Sequence, residues 1–266
     1  MNLVYKFYSF DYFLNAMERL GYESIEVLPN APHFYVPDLS AGDMASIRQK
    51  IADHHLKVIC YTPDQCSYPV NISYHSETAR RRSIQSLIRQ IEICSYLGSG
   101  QMLLTSGYGY FDEPKEHAWA RMIDSLGQLS RKAEKEGIVL VLEPIRTDET
   151  NLVTDLPSLK KALREVGSPS LKGMLDTSPM YYAGESIAQY ARELGDDLWH
   201  IHLIDGRPAG HLAWGDGIFP LDQYILEIEQ AGYDRYMTLE LTSAEYYNDP
   251  SPAMEKSMNA LRPYFG

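Results

Sequence analysis

Four strand-like runs in the second half of the chain end in a residue that can bind a metal ion. These residues are Glu143 in IVLVLEP, Asp176 in LKGMLD, His202 in WHIHLID and Glu240 in YMTLEL. Two glutamates, an aspartate and a neutral histidine suit Mn²⁺, Mg²⁺ or Co²⁺ better than a closed thiolate zinc site would. A single acid at a strand end is more often a loop cap. Four such residues on successive strands favour a metal site, because unpaired buried carboxylates are very costly.

The stretch WHIHLIDG, residues 199–206, contains two histidines two positions apart. Residues i and i+2 of a strand share a face, so His200 and His202 point the same way. In a barrel, however, they lie at different depths, with His202 at the rim and His200 one layer below it. We therefore expect His202 to reach the ion, and His200 to pack in the barrel or to support His202.

Short apolar runs alternate with helical patterns along the whole chain. Eight of these runs are predicted strands: Leu3–Tyr8, Ser24–Leu28, Leu56–Thr62, Gln101–Gly107, Ile138–Glu143, Leu171–Asp176, Trp199–Asp205 and Tyr236–Leu241. Apolar residues at helical spacing predict helices over Ser83–Leu97 and Trp119–Glu136. Such alternation implies parallel strands that are joined by right-handed crossovers.

Eight strand–helix units can close into a barrel or form an open, doubly wound sheet. The sequence has no G-x-G-x-x-G or G-x-x-x-x-G-K-[ST] motif, so the nucleotide-binding form of the open sheet lacks its fingerprint. We therefore predict an α/β fold, a single (β/α)8 TIM barrel domain over residues 1–266, whose first strand is short. In such barrels the chemistry lies at the C-terminal ends of the strands, where the four candidate ligands are found.

The composition excludes several classes of protein. With 24 Lys and Arg against 36 Asp and Glu, the net charge is −12, which argues against a nucleic-acid-binding protein. No apolar run approaches the 18 residues that a membrane span requires. Cys60, Cys66 and Cys94 have no C-x-x-C spacing and suit reduced thiols. We expect a soluble, cytoplasmic protein with a small-molecule partner; loop aromatic residues are compatible with pocket walls or with a homo-oligomer interface.

Specific stretches along nearly the whole chain resemble the xylose-isomerase-like TIM-barrel superfamily of sugar isomerases and epimerases. They are GYESIEVL (21–28), APHFYVPDL (31–39), YTPD (61–64), YPVN (68–71), LEPIRTDETNLV (142–153), MLDTSPMYYAGE (174–185), LGDDLWHIHLIDG (194–206), WGDGIFPL (214–221) and YMTLELTSAEYYNDP (236–250). The APHFYVPDL and YTPD stretches resemble the fructoselysine 3-epimerase branch, which is related to the ketose (D-tagatose and D-psicose) 3-epimerases.

The resemblance implies a metal-dependent 3-epimerase. Glu143, Asp176, His202 and Glu240 would bind one divalent ion, with Mn²⁺ expected and Co²⁺, Ni²⁺ or Mg²⁺ as alternatives. Glu143 and Glu240 would also be the catalytic acid/base pair. They would invert C3 of a ketosamine (fructoselysine or psicoselysine) or of a related ketose, through a metal-bound cis-enediolate. An aldose–ketose isomerase or an inosose-type dehydratase on the same metal site is the alternative.

The resemblance also implies substrate contacts. Glu149 matches a substrate-contacting glutamate of the related ketose 3-epimerases. Further candidates for the pocket are His33, Tyr61, His211 and Arg207.

The chain departs from those relatives at two positions. It has Pro179 where they carry a histidine, and Pro208, next to Arg207, where they carry an arginine. Both departures argue against a simple hexulose substrate.

Two further functions are less compatible with the sequence. An abasic-site endonuclease on this barrel would need more ligands and a basic groove, which the sequence lacks. A non-catalytic barrel that binds sugar is the last alternative.

Overall fold

Seven parallel strands and their connecting helices form the fold in the computed structural model, which describes residues 1–29, 33–65, 69–207 and 210–265. The parallel strands are β1 (Ser24–Val27), β2 (Lys57–Tyr61), β3 (Gln101–Thr105), β4 (Val139–Glu143), β5 (Leu171–Asp176), β6 (Leu198–His202) and β9 (Met237–Thr238). Between β6 and β9, β7 (Asp205–Arg207) and β8 (Gly210–Leu212) form an antiparallel pair. The helices are α1 (Phe10–Leu20), α2 (Ala41–Asp53), α3 (Glu77–Tyr96), α4 (Lys115–Glu136), α5 (Leu156–Val166), α6 (Thr177–Tyr182), α7 (Ile187–Leu194), α8 (Leu221–Gln230) and α9 (Ser251–Phe265).

The sheet follows chain order, as a TIM barrel requires. Neighbouring strands run β1-β2-β3-β4-β5-β6-β9, and every pairing within this sheet is parallel. The two outer strands, β1 and β9, do not pair with each other in the part of the chain that is described. We call the open edge between β1 and β9 the seam. The predicted fold class is confirmed, with seven parallel strands in place of the expected eight.

The first predicted strand, Leu3–Tyr8, is wrong. Residues Asn2–Tyr5 form a 3-10 helix, and α1 follows directly. The Met1 ammonium group donates to the Leu239 carbonyl oxygen at 3.0 Å, next to β9. The Asn2 side chain exchanges two hydrogen bonds with the backbone of Leu28, next to β1. Residues 1 and 2 therefore bridge the seam through a terminal group and a side chain, without the backbone ladder of a strand.

Several helix ends carry residues that stabilise a helix terminus. Gly21 and Gly137 end α1 and α4 in the left-handed conformation, which glycine adopts without steric strain. Asp155 begins α5 in a capping box with Ser158. The two predicted helices are present as α3 and α4, although each begins a few residues earlier than predicted.

A small apolar layer fills the interior of the barrel. Cys60, Leu103, Val141 and Met174, from β2, β3, β4 and β5, pack together and form a cluster separate from the main core. Glu143 and Asp176 lie two residues after Val141 and Met174 on the same strands. Because side chains two apart share a face, the same alternation that buries this layer also turns the strand-end acids inward.

The other expectations for the whole chain concern membranes and cysteines. No helix within the described residues is both long and apolar enough to cross a membrane. Cys60 and Cys94 are buried free thiols, whereas Cys66 lies outside the described residues.

A single carboxylate organises the segment between β6 and α8. Asp205 accepts hydrogen bonds from the backbone N–H groups of Gly206, Gly215, Gly217 and Phe219, at 2.7 to 2.9 Å. A Cβ atom at Gly217 would collide with this carboxylate, so the close approach requires glycine there. Asp205 thereby fixes residues 215–219 against the β7–β8 pair.

We expect Asp205→Ala to lower the free energy of unfolding by about 3 kcal/mol or more, because it leaves several buried N–H groups without an acceptor. Urea unfolding followed by circular dichroism measures the change. Asp197→Ala is the control, since Asp197 is half exposed and forms an ion pair with Lys172 at the protein surface; its loss should cost about 1 kcal/mol or less. Equal losses in the two variants would contradict the role of Asp205.

Candidate active site

Four side chains converge at the C-terminal end of the barrel. Glu143, Asp176 and His202 are the last residues of β4, β5 and β6, and Glu240 lies two residues beyond β9. One possible ligand atom of each residue lies within 4.8 Å of the ligand atoms of the other three. His202 Nδ1 is 3.0 Å from Glu240 Oε2 and 3.6 Å from both Glu143 Oε1 and Asp176 Oδ2. The structure thus brings together the four residues that the sequence pattern singled out.

Burial and mutual repulsion shape the ionisation of this cluster. Burial raises the pKa of Glu143 well above its usual value, and the nearby carboxylates of Glu240 and Asp176 add to the shift, against His202. Burial also acts to raise the pKa of Glu240, but the imidazoles of His202 and His211 outweigh it and lower that pKa. The two glutamates therefore differ in proton affinity.

The charge of His202 depends on the acids around it. Burial acts to lower the pKa of His202, but Glu26 and Glu240 outweigh it and raise the pKa well above its usual value. Positive charge on the histidines thus offsets part of the negative charge of the carboxylates. A bound cation would offset the same negative charge.

The residues fit a divalent metal ion. Asp176 Oδ1 accepts a hydrogen bond from Ser178 N at 2.6 Å, at the start of α6. Asp176 Oδ2 is buried and has no hydrogen-bond partner among the residues that the structure describes. Its neighbour His202 Nδ1, at 3.6 Å, is too distant for a hydrogen bond. A buried carboxylate oxygen without a partner is costly unless it binds a cation. Three carboxylates and one imidazole are the donors that Mn²⁺, Co²⁺ and related ions accept.

Sequence reasoning missed Glu26, the second carboxylate partner of His202. Glu26 lies in β1, is fully buried, and has Oε1 at 3.1 Å from His202 Nε2. Burial acts to raise its pKa, but His202 and His200 outweigh burial and lower the pKa well below its usual value. The available signal was a lone acid within the apolar run SIEV of a predicted strand. His200, as expected, lies deeper, with Nε2 at 3.0 Å from Glu26 Oε2.

His211 is the one predicted substrate residue that the structure places beside the cluster. It lies on β8, with Nδ1 at 3.2 Å from Glu240 Oε2 and 3.9 Å from Asp176 Oδ2. Burial acts to lower its pKa, but Asp176 and Glu240 outweigh burial and raise it to about 9. The His211 side chain remains 19% exposed, so it borders the cluster on the side that solvent reaches.

His33 and Tyr61 have partners elsewhere in the chain. His33 Nδ1 lies 2.7 Å from the Tyr8 carbonyl oxygen, and its Nε2 lies 2.9 Å from Asn2 Nδ2. The hydroxyl of Tyr61 donates to Gln90 on α3. Both predicted substrate contacts would require these side chains to exchange their present partners.

Of the two charged candidates, Glu149 lies in the loop after β4, and Arg207 is the last residue of β7. Glu149 Oε2 accepts a hydrogen bond from the backbone N–H of Arg146. The Arg207 side chain is 56% exposed and lies 3.9 Å from Glu245. The neighbouring Pro208 is outside the described residues. Substrate contact by Glu149 and Arg207 stays a prediction.

The family is established by comparison with known proteins. Residues 14–264 match the family described as xylose isomerase-like TIM barrel, and the chain belongs to this family. Fructoselysine 3-epimerase of Shigella flexneri is 32% identical over 252 residues, which cover 94% of this chain and 91% of that protein. The expected family and the expected enzyme class, an isomerase of the epimerase type, are confirmed by these matches.

Solved structures share the fold. A crystal structure of D-psicose 3-epimerase in the presence of D-fructose superposes with a TM-score of 0.80 at 20% identity, covering 96% of this chain and 92% of that one. The structure of L-ribulose 3-epimerase gives a TM-score of 0.81 at 19% identity, covering 98% and 91%.

We expect Mn²⁺ to raise the melting temperature of the metal-free protein. An ion that binds only the folded state stabilises it by about 2.7 kcal/mol at a concentration of 100 times Kd. Glu143→Gln should reduce this rise and leave the metal-free protein equally stable or more stable, because crowded carboxylates repel. Thermal unfolding after chelation, with and without added Mn²⁺, measures both effects.

The control for this experiment is Glu185→Gln, which makes the same change at a carboxylate that accepts hydrogen bonds from Leu156 N and Tyr190 Oη. This variant should keep the full rise in melting temperature on addition of Mn²⁺. Absence of any rise in the wild-type protein would count against the metal site.

Proposed function

We propose that this protein is a divalent-metal-dependent sugar epimerase that inverts C3 of a ketosamine, such as fructoselysine or psicoselysine, or of a related ketose. The observation that carries the proposal is the convergence of two glutamates, Glu143 and Glu240, on one candidate metal centre. The likeness to a fructoselysine 3-epimerase over 94% of the chain supports the choice of substrate class.

Inversion at C3 of a 2-ketose requires removal of a carbon-bound proton next to a carbonyl group. That proton is far less acidic than a carboxylic acid, so the negative charge that develops on oxygen must be stabilised. A divalent ion held by Glu143, Asp176, His202 and Glu240 would supply that stabilisation as a Lewis acid. We propose Mn²⁺ for this role, with Co²⁺, Ni²⁺ and Mg²⁺ as alternatives that the same oxygen-rich donors accept.

The two glutamates approach the site from separate parts of the barrel wall. Glu143 ends β4, and Glu240 follows β9, with β5 and β6 between these strands in the sheet. A substrate held between them presents opposite faces of C3 to the two carboxyl groups. One glutamate removes the proton from its face while the other, protonated, returns one to the opposite face, and the roles reverse with the direction of reaction.

His211 is the residue that we propose to contact substrate. Its imidazole adjoins Glu240, is held beside Asp176, and is partly exposed at the mouth. From this position it can donate a hydrogen bond to a sugar hydroxyl or carbonyl oxygen. Glu149, Arg207, His33 and Tyr61 are the further substrate contacts that the family resemblance suggests.

The decisive experiment is proton exchange in D₂O. Fructoselysine incubated with the protein and Mn²⁺ should give psicoselysine carrying deuterium at C3, as followed by NMR. Glu143→Gln and Glu240→Gln should each reduce turnover by about 10²–10⁴-fold, the usual contribution of general acid–base catalysis, or by more where metal binding is also lost. Glu185→Gln should retain activity.

Other products would decide against C3 inversion. Exchange at C1 would indicate an aldose–ketose isomerase, and loss of water would indicate a dehydratase. Absence of deuterium at C3 across a panel of ketosamines and free ketoses would exclude the proposed reaction.

We expect His211→Asn to lower kcat/KM by about 10- to 100-fold, since a hydrogen bond to a charged group contributes about 1.5–3 kcal/mol. The metal-dependent rise in melting temperature should persist, because the four proposed ligands are unchanged. Steady-state kinetics together with thermal unfolding measure the two quantities. Loss of metal binding in this variant would instead make His211 a ligand.

A further inference from the structure

Glu26 is a carboxylate buried inside the barrel, one level below the proposed metal ligands. Its side chain has no exposure to solvent, and it is carried by β1, at one edge of the sheet. Removing a carboxylate from water costs several kcal/mol unless partners replace the lost hydration. The hydrogen-bond partners of Glu26 therefore indicate the role of this buried carboxylate.

Three donors surround the Glu26 carboxylate. The Thr62 hydroxyl donates to Oε1. His202 Nε2 lies 3.1 Å from Oε1, and His200 Nε2 lies 3.0 Å from Oε2. An ionised carboxylate only accepts hydrogen bonds, so both imidazoles must carry hydrogen on the nitrogen that faces Glu26.

This requirement fixes the other side of the His202 ring. A histidine that binds a metal ion must give up the proton on the binding nitrogen, so hydrogen retained on Nε2 leaves the free lone pair on Nδ1. Nδ1 is the atom that lies 3.0 Å from Glu240 and 3.6 Å from both Glu143 and Asp176. The ring is thus held between Glu26 below and the proposed ligand set above.

We propose that Glu26 is a positioning residue, which holds His202 with Nε2 protonated and Nδ1 directed at the metal ion. The inference rests on the metal centre of the proposed function and adds a residue that does not touch the ion or the substrate. Carboxylate partners of metal-bound histidines fix ring orientation and increase ligand basicity, and their loss typically weakens metal binding by 10- to 100-fold.

The contact also spans the barrel. Glu26 is in the first strand of the sheet and His202 is in the sixth, 176 residues later in the chain. The hydrogen bond from His202 therefore connects the edge strand β1 to the proposed metal centre across the interior.

A second metal ion is the competing explanation, because Glu26, His200 and His202 alone also lie close enough to form a three-residue site. The hydrogen bonds argue against it. Nε2 of each histidine already has the Glu26 carboxylate as its acceptor, and the Thr62 hydroxyl uses a further lone pair of Oε1. An ion at this position would require His202 to lose both ring hydrogens and to bridge two cations.

The test is Co²⁺ binding by the metal-free protein without any substrate. Calorimetric titration gives the affinity and the stoichiometry, and the visible absorption of bound Co²⁺ reports the ligand geometry. We expect one equivalent in the wild-type protein and an affinity about 10- to 100-fold weaker in Glu26→Ala, with a changed Co²⁺ spectrum. Glu26→Gln keeps the size of the side chain and guards against misfolding of the alanine variant. Its neutral amide oxygen accepts hydrogen bonds more weakly than a carboxylate does, so the Co²⁺ affinity should also fall. Glu26→Asp, which keeps the charge, should recover part of the loss.

Glu185→Gln is the matched control, since it makes the same carboxylate-to-amide change away from the barrel interior, and its Co²⁺ affinity and spectrum should equal those of the wild-type protein. Wild-type affinity in the Gln and Ala variants of Glu26 would overturn the inference and leave the proposed function intact. Two equivalents in the wild-type protein that fall to one in Glu26→Ala would make Glu26 a ligand and also overturn it. No binding by the wild-type protein would defeat the proposed metal centre itself and the inference with it.

Discussion

The arrangement of the site depends on the alternation of side chains along parallel strands that lie in register. Thr105 pairs with Glu143, and Asp176 pairs with His202, across neighbouring strands. Residues at one level of the barrel therefore come from different strands at matching positions. This constraint produces an apolar layer that includes Val141 and Met174 and, two residues further along β4 and β5, the acids Glu143 and Asp176.

In the cluster of Glu143, Asp176, His202 and Glu240, the fold holds three carboxylates together against their electrostatic repulsion. Glu143, Asp176 and Glu240 are held together although like charges at such distances repel, and burial removes the water that would screen them. The imidazoles of His202 and His211 offset part of the negative charge. The rigid strands supply the rest of the restraint, which keeps an anionic cluster that attracts cations at the C-terminal end of the barrel.

Strand-end chemistry could be read from the sequence because it obeys a short-range rule. The alternation of side chains in four apolar runs was enough to predict that Glu143, Asp176, His202 and Glu240 face the barrel interior. The run Leu3–Tyr8 was misread because its apolar, aromatic composition suits a strand as well as a short helix. Its conformation is set by tertiary contacts that composition does not reveal, such as the bonds of Asn2 to Leu28.

The role of Glu26 and the partners of Tyr61 and His33 could not be predicted from the sequence for the same reason. The partners of Glu26 are 36 and 176 residues away along the chain, and no local pattern specifies that meeting. Tyr61 and His33 were assigned by the stretches they occupy, whereas their polar atoms are directed at Gln90 and Tyr8.

The seam gives the two glutamates unequal mechanical support. Glu143 belongs to β4, which has a hydrogen-bonded neighbour on each side. Glu240 follows β9, a strand of two residues that pairs, within the described residues, only with β6. The bond from Met1 to Leu239 joins this segment across the seam. Displacing Glu143 requires breaking two ladders, whereas displacing Glu240 disturbs few backbone bonds, and local opening is easiest where such bonds are few. The wall of the site that carries Glu143 is therefore stiffer than the wall that carries Glu240.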